Sequence, residues 1–533
     1  MSDPYSHGIP GNNFTLGILT ILGLCIAYPM IAVVYNLYFH PLAKFPGPVL
    51  WRVSRIPYTV SLIRGNLVKD QLEIHRKYGE VVRLAPNEIS FTKEEAWHDI
   101  YANRVGHQNP TKDPVCIILF DTAVAPDDMP ANIVTAIDPT LHSRFRRLLE
   151  NSFTEKALRS QAPLIESYAD LLINRLRNLP MTPDNEISGV VVNFVDWMSW
   201  YTFDVIGELS LGESFGCLKD SKFHPWVKTL NNFLKGMVYA ASTRKLIDVR
   251  WYPGMESLMF KLLPKSVMQM QRQHSDYANE KINRRLNLET GKPDFVTPFM
   301  EDNIDFHKIS LRETQSNLAI LIVAGADATA TALSGTFLYL VQNRNTLDKL
   351  TSEIRSSFPD EEDICIATTS KLSYLHSVIM EGLRLTNPVP GGLPRIVPEG
   401  GDTYAGVFIP ARVSPSADTN FRPYTMSRSE RYFAEPNAFI PERWLPQDIR
   451  PAKFANDHFG VSNPFSVGHS NCIGKSLALA EMKIVMARII WAFDLHEYGE
   501  RLDWTSLKTF MIYQKKPVQI RCIARKSTET TEK

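Results

Sequence analysis

The chain has 533 residues, of which 44% are hydrophobic and 22% charged, with a formal net charge of +1. That balance excludes a disordered chain and leaves no electrostatic case for nucleic acid, which is not expected as a partner. Its six cysteines, at 25, 116, 217, 365, 472 and 522, are scattered without close ligand spacing, which argues against a zinc cluster and for a reduced, cytosol-facing body.

In chain order, residues 16–35 come first, almost wholly apolar and uncharged. They are long enough to cross a bilayer as a helix, and Pro29 is tolerable there. Lys44, Arg52, Arg55 and Arg64 follow, while Asp3 is the one charged side chain before. This bias predicts a single-pass anchor with the body on the cytosolic side. A cleaved signal peptide is the alternative, weakened by the absence of a basic leader region. The Asn13-Phe14-Thr15 sequon lies beside the expected membrane surface.

Residues 39–48 form a proline-rich connector, since their prolines restrict the backbone and end any helix. Residues 81–84 and 88–91 read as a strand hairpin around Ala85, Pro86 and Asn87. Residues 103–139, rich in Pro, Asp and Asn, read as a long irregular loop. Helical spacing and breakers then predict helices over 141–153, 164–179, 194–211, 266–289, 310–342 and 374–386. Short strands and turns follow over 387–410. No repeat or linker divides the chain. The expected architecture is mainly α with a minor β portion: residues 1–38 with the anchor, 39–48 as hinge, and 49–533 as one catalytic domain.

The chemistry concentrates near the end, where Cys472 stands in a turn between Gly468 and Gly474, directly before a helical run. A thiolate there can ligate a metal on its open side, and glycine permits a close approach of backbone to a flat cofactor. Leu477, Ala480, Val485 and Ile489 are spaced to seat the following helix on a core. For an isolated cysteine the ordinary reading is a buried structural thiol. Four defined residues at fixed offsets change that. Phe465, Gly468, Cys472 and Gly474 resemble the haem-binding signature of the cytochrome P450 family, and Asn471 and Lys475 suit its fungal members. Ser470 departs from the pattern, because the family usually places an arginine there, near a haem propionate. His469 is the adjacent candidate substitute.

Other motifs occur in the family's order. Glu381 and Arg384 lie three apart on one helical face, and with Arg443 of Pro441-Glu442-Arg443-Trp444 they resemble the family's structural triad. Ala324-Gly325-Ala326-Asp327-Ala328-Thr329 resembles the oxygen-binding stretch of the long helix, where an acid and a threonine deliver protons. Here Ala328 fills the threonine position. Thr329 is one step on, turned by roughly 100°, so it acts only if the helix is distorted; otherwise substrate hydroxyls or waters relay the proton. His142 and Arg146 resemble the helix residues offered to propionates, with Arg144 or Arg147 facing a redox partner, and Arg395 matches a third propionate position.

The resemblance covers nearly the whole chain and implies the cytochrome P450 fold with Cys472 as axial ligand to haem b. It implies a fungal microsomal type of monooxygenase in the endoplasmic reticulum membrane, oxidising a lipophilic metabolite. Electrons would come from NADPH through cytochrome P450 reductase, with cytochrome b5 as a further candidate donor. By family position, substrate contacts fall on the 109–130 loop, Ile320, Ala324, Val389, Leu393 and Met511. The altered proton-delivery site keeps a reductase-independent isomerase or dehydratase of the same fold as an alternative. A non-enzymatic haem-binding membrane protein ranks below it, since Cys472 is retained.

Overall fold

A computed structural model describes residues 11–113, 130–182, 188–225, 227, 265–287, 293–411 and 418–525. Helices dominate, and the helix Leu311–Gln342 runs through their centre. Its start follows from sequence: Ser310 accepts from the Glu313 N–H while the Glu313 side chain accepts from the Ser310 N–H, a reciprocal cap. Around it pack Phe194–Leu211, Ser373–Leu385, Arg344–Ser357 and Lys475–Ala492. This long helix is apolar enough to cross a membrane, yet 67% of its apolar window is buried inside the protein. It is a core helix. Gly325 lets it approach Phe194–Leu211, because an added Cβ would lie 2.6 Å from Ile206 Cδ1.

The N-terminal helix spans Gly11–Val34 and continues as a π turn over Tyr35–Phe39, so it begins before the apolar run. Leu16, Leu19, Met30 and Ile31 on it are exposed. The proline-rich connector that follows is stitched to the body. Leu42 and Phe45 are buried, and the Arg83 N–H donates to Pro46 O at 2.8 Å. Buried Arg83 also donates through Nη1 to Asn36 O at 2.7 Å, tying the end of the first helix to the hairpin.

That hairpin, Val81–Ala85 with Glu88–Phe91, is antiparallel and opens a five-stranded sheet. Asp418–Phe421 joins it in parallel, then Arg395–Ile396, and Thr111–Lys112 closes the edge antiparallel to Arg395–Ile396. The irregular 103–139 region therefore contributes a strand whose only local signal is two residues long. Its residues 114–129, most of the expected 109–130 substrate loop, lie outside the described residues. A second sheet orders Val190–Asn193, Gln519–Ala524 and Phe493–Glu497.

Two helices of the body start at least two residues before the expected position, for local reasons. Pro139–Glu150 starts earlier because Asp138 accepts from the Thr140 N–H, and Pro139 fits a first turn that needs no N–H. Glu155–Arg177 starts nine residues before the expected 164, capped by Thr154, and carries Pro163 inside. Pro163 reads as a boundary in sequence, but Ala157, Gln161 and Ile165 are buried on both sides of it and hold the helix through.

Candidate functional site

The turn that carries Cys472 is closed by backbone. The Cys472 N–H donates to Phe465 O at 2.8 Å, and the Asn471 N–H to Gly468 O at 3.1 Å. Gly468 has φ +77°, and an added Cβ would stand 2.1 Å from Tyr101 O, so only glycine fits. Gly474 caps the helix Lys475–Ala492, whose Leu477, Ala480, Val485 and Ile489 are all buried. Lys475 lies over the Phe465 ring at 5.8 Å. The turn is thus fixed at both ends, with its thiol exposed on one side. On its other sides enough protein surrounds the sulfur that burial raises its pKa, against the Gly474 N–H, Arg146 and Lys475, which lower it. A metal ion would remove that proton outright.

Arg146 grips the turn. It donates through Nη1 to Asn471 O at 2.6 Å and through Nη2 to Asn471 Oδ1 at 2.8 Å, with Nε bound to Glu150. Beside it the His142 and His469 rings meet edge to face, their centroids 5.8 Å apart. Arg395 stacks on Tyr101 at 4.9 Å and pairs across the strands with Lys112. Burial and then the charges of Lys112, His469, Arg146 and Arg395 bring His142 down to about 4. Burial, then Arg395, Lys112 and Arg146, lower His469 as well. The same cations therefore favour the neutral form of His469 in these surroundings.

The residues around Cys472 fit haem. Among the described residues no group of three or more His, Cys, Asp or Glu side chains can hold an ion by itself. A lone thiolate suits a metal whose remaining positions a cofactor fills. The converging cations suit the carboxylates such a cofactor carries.

Glu381, Arg384 and Arg443 meet in the core with fully buried side chains. Arg384 donates to both Glu381 oxygens, at 2.8 and 2.7 Å, and Arg443 Nε donates to Oε1 at 3.1 Å. Sequence reasoning missed two partners: Trp444 Nε1 donates to Glu381 Oε2 at 2.8 Å, and Asp457 pairs with Arg443. Trp444 follows Arg443 in the same motif and could have been found; Asp457 carries no local signal. Burial alone would raise the Glu381 carboxyl, but Arg384, Arg443 and the Ile440 N–H outweigh it and hold its pKa low. Arg384 also donates to Pro436 O at 2.6 Å, which fixes the segment leading to the ligand turn.

On the long helix, Ala324 is exposed and Gly325 and Ala328 half-buried, whereas Thr329 is buried. Residues four apart share a face, so Ala324 and Ala328 form the open face, and Thr329 shares the face of Gly325, which packs against Ile206. The helix is regular through this stretch, and no distortion turns Thr329 towards Ala328's face. Asp327 has a partner that sequence reasoning missed. Lys515 Nζ, from the C-terminal segment, donates to Asp327 Oδ1 at 2.6 Å and to Thr331 Oγ1 at 3.0 Å.

Of the expected substrate contacts, Val389 and Leu393 are large exposed apolar side chains, Ile320 is buried, and Met511 tips the Lys508–Phe510 and Ile512–Gln514 hairpin with φ +71°. The Leu393 carbonyl accepts from Tyr101 Oη at 2.7 Å, which joins this segment to the ring under Arg395.

Comparison with known proteins gives a family match and close relatives. Residues 45–521 match the family model described as Cytochrome P450. The chain is 36% identical to the cytochrome P450 monooxygenase astJ of Aspergillus oryzae, over 95% of this chain and 97% of that protein. It is 36% identical to a trichothecene C-15 hydroxylase of Fusarium sporotrichioides, over 94% and 97% of the two chains. It is 37% identical to a versicolorin B desaturase of Aspergillus parasiticus, over 89% and 90%.

Proposed function

The chain belongs to the cytochrome P450 family and is a haem-thiolate monooxygenase, and on that premise we propose that Cys472 is the iron ligand and the substrate a lipophilic small molecule of fungal secondary metabolism. The observation that carries the ligand assignment is the turn itself, backbone-closed and glycine-fitted, with one thiol on its open side. The hydroxylase and desaturase among the relatives support an oxidation, and weigh against the isomerase or dehydratase reading.

Haem, when bound, supplies the oxygen-activating chemistry. The residues of this chain do the rest. Cys472 would hold the cofactor through its thiolate, and Arg146 keeps the turn in place through Asn471. Phe465, Gly468, His469 and Gly474 would shape the cofactor's bed, while His142, Arg146 and Arg395 would meet its carboxylates. Ala324 and Ala328 give the substrate room along the long helix. Asp327 is the acid for proton delivery, with Lys515 setting its orientation, and its path runs over a substrate hydroxyl or water because Ala328 offers none. Val389, Leu393 and Met511 supply apolar contact, which suits a terpenoid, polyketide or alkaloid-like skeleton.

NADPH–cytochrome P450 reductase would be the redox partner, with cytochrome b5 as a second candidate donor. Residues 16–35 anchor the protein in the endoplasmic reticulum membrane, and residues 49–533 form the cytosolic catalytic domain. The exposed apolar side chains of Gly11–Val34 support the anchor, since that surface needs a lipid environment. The test is reconstitution with reductase, NADPH and O₂, after screening lipophilic metabolites for substrate-induced spin-state shifts. NADPH-dependent oxygenation or desaturation of a compound that shifts the spectrum is the expected result. Turnover of that compound without reductase or NADPH would reject the reading.

A further inference from the structure

Residues 389–393 carry two of the expected substrate contacts, yet their own sequence does little to fix them. Pro390 has no N–H to donate, and Gly391 and Gly392 restrict the backbone least of all residues. Sterics do not hold the middle either: an added Cβ on Gly391 would find its nearest neighbour, Val68 Cγ1, at 4.0 Å. Val389 and Leu393 stand exposed at the two ends. An apolar skeleton that touches both has to match the spacing between them.

The segment is held from outside, through its carbonyls. The Tyr424 N–H donates to Pro390 O at 3.3 Å, and Tyr101 Oη donates to Leu393 O at 2.7 Å. Between them, Arg422 Nη1 donates to Gly391 O at 2.8 Å. Arg422 follows directly on the strand Asp418–Phe421 and is only 2% exposed. Its Nη2 donates to Glu88 Oε1 at 2.7 Å and its Nε to Ser90 Oγ at 3.1 Å. Glu88 and Ser90 lie on Glu88–Phe91, the strand paired in parallel with Asp418–Phe421. Both are held in turn: Arg55 donates to Glu88 Oε2 at 2.8 Å, and Ser90 Oγ bonds His75 Nε2 at 2.7 Å. Two nitrogens of the guanidinium are thus fixed to the sheet and the third to the glycine segment. A planar guanidinium passes position from one to the other, because its nitrogens cannot move independently.

We propose that Arg422 is a positioning residue for substrate selection: it sets the Gly391 carbonyl from the sheet, and so the spacing at which Val389 and Leu393 meet the substrate. The inference rests on the contact role proposed above for those two residues. The competing explanation is that Arg422 only completes a buried polar network that supports the sheet. The two differ in whether the effect of losing Arg422 is confined to ligands long enough to reach this segment.

The experiment titrates the haem-loaded enzyme with N-methylimidazole and N-dodecylimidazole, read from the absorption change on imidazole ligation. Both probes offer iron the same nitrogen, and only the dodecyl chain extends to apolar side chains away from it. The reduced CO spectrum is recorded for each variant, so that failure of the Cys472 assignment is seen separately. In Arg422→Met, where Glu88 keeps Arg55, dodecylimidazole should bind about tenfold more weakly and methylimidazole within about twofold of wild type. Arg422→Lys keeps a cation for Glu88 but loses the fork; it should shift dodecylimidazole in the same direction by at least about threefold, and it decides if the methionine variant gives no folded holoenzyme. Leu393→Ala should weaken dodecylimidazole on its own, and combined with either Arg422 variant it should weaken it by less than the product of the single effects. Equal weakening of both probes in the Arg422 variants, unchanged dodecylimidazole binding, or single effects that multiply in the double variant would overturn the proposal. Unchanged dodecylimidazole binding in both Val389→Ala and Leu393→Ala would instead remove the contact role itself, and the proposal with it.

Discussion

Asp327 is held by its partners. Lys515 and Thr331 both reach its carboxylate, and the side chain that follows it is the methyl of Ala328. A proton passing through Asp327 has to leave an ion pair and cross a gap that substrate or water fills. Replacing Asp327 with Asn should lower turnover by about 10²-fold, the lower end of what a positioned acid contributes. Lys515→Met, which removes only the partner, should lower it less and change the solvent isotope effect on turnover. Ala328→Thr restores a hydroxyl on the open face and should raise the product formed per NADPH consumed. Unchanged coupling and unchanged product in that variant would mean that the position does not matter. Neither lysine was legible in the sequence. Lys515 lies 188 residues from Asp327, and Lys112 sits in a two-residue strand inside a Pro- and Asp-rich stretch. Their partners are set by tertiary pairing, which leaves no local pattern to read.

At the scale of elements, two glycines set how closely the long helix meets Ser373–Leu385. A Cβ on Gly382 would stand 2.0 Å from Thr336 Oγ1, and one on Gly335 would stand 2.5 Å from Thr386 Cγ2. Gly382→Ala should cost about 1–3 kcal/mol through overpacking, read as a lower denaturation midpoint. Thr336→Ala in the same chain should return most of that loss. The same helix carries Glu381. Removing that carboxylate by Glu381→Ala takes away the carboxylate partner of buried Arg384 and one of the two that Arg443 has, and a loss of roughly 3–5 kcal/mol is expected, or no folded holoenzyme at all. Because the Glu381 pKa is depressed on folding, its contribution is present above the usual carboxylate range and disappears as pH falls through the folded value. The acid limb of the stability profile should therefore flatten in Glu381→Gln, measured by denaturation against pH. These elements were readable from sequence. Apolar spacing marked the helices, and the three-residue separation of Glu381 and Arg384 marked the pair. Pro163 misled because a proline's local preference yields to apolar contacts on both sides of it.

Over the whole molecule, an exposed apolar helix at one end is joined to a helical body whose Cys472 turn lies near the other end of the sequence. Arg83 binds the end of that helix to the hairpin, so helix and body are linked by more than the chain between them. Deleting residues 1–38 should move most of the protein from the alkaline-washed membrane pellet to the supernatant while leaving the haem spectrum intact. Retention in the pellet would place the membrane contact elsewhere. The family signature was legible because backbone closure, glycine φ and a lone thiol must all fall within ten residues, whereas Lys112, Arg146 and Arg395 come from three separate segments. Everything proposed for this chain depends on the sulfur of that turn. The most direct measurement is the Soret band of the reduced, CO-bound protein, compared between wild type and a haem-loaded Cys472→His variant. The wild type should show the red-shifted band of thiolate-ligated haem, and the variant the band of imidazole-ligated haem. A wild type without the thiolate band, or a variant that keeps it, would contradict the assignment of Cys472.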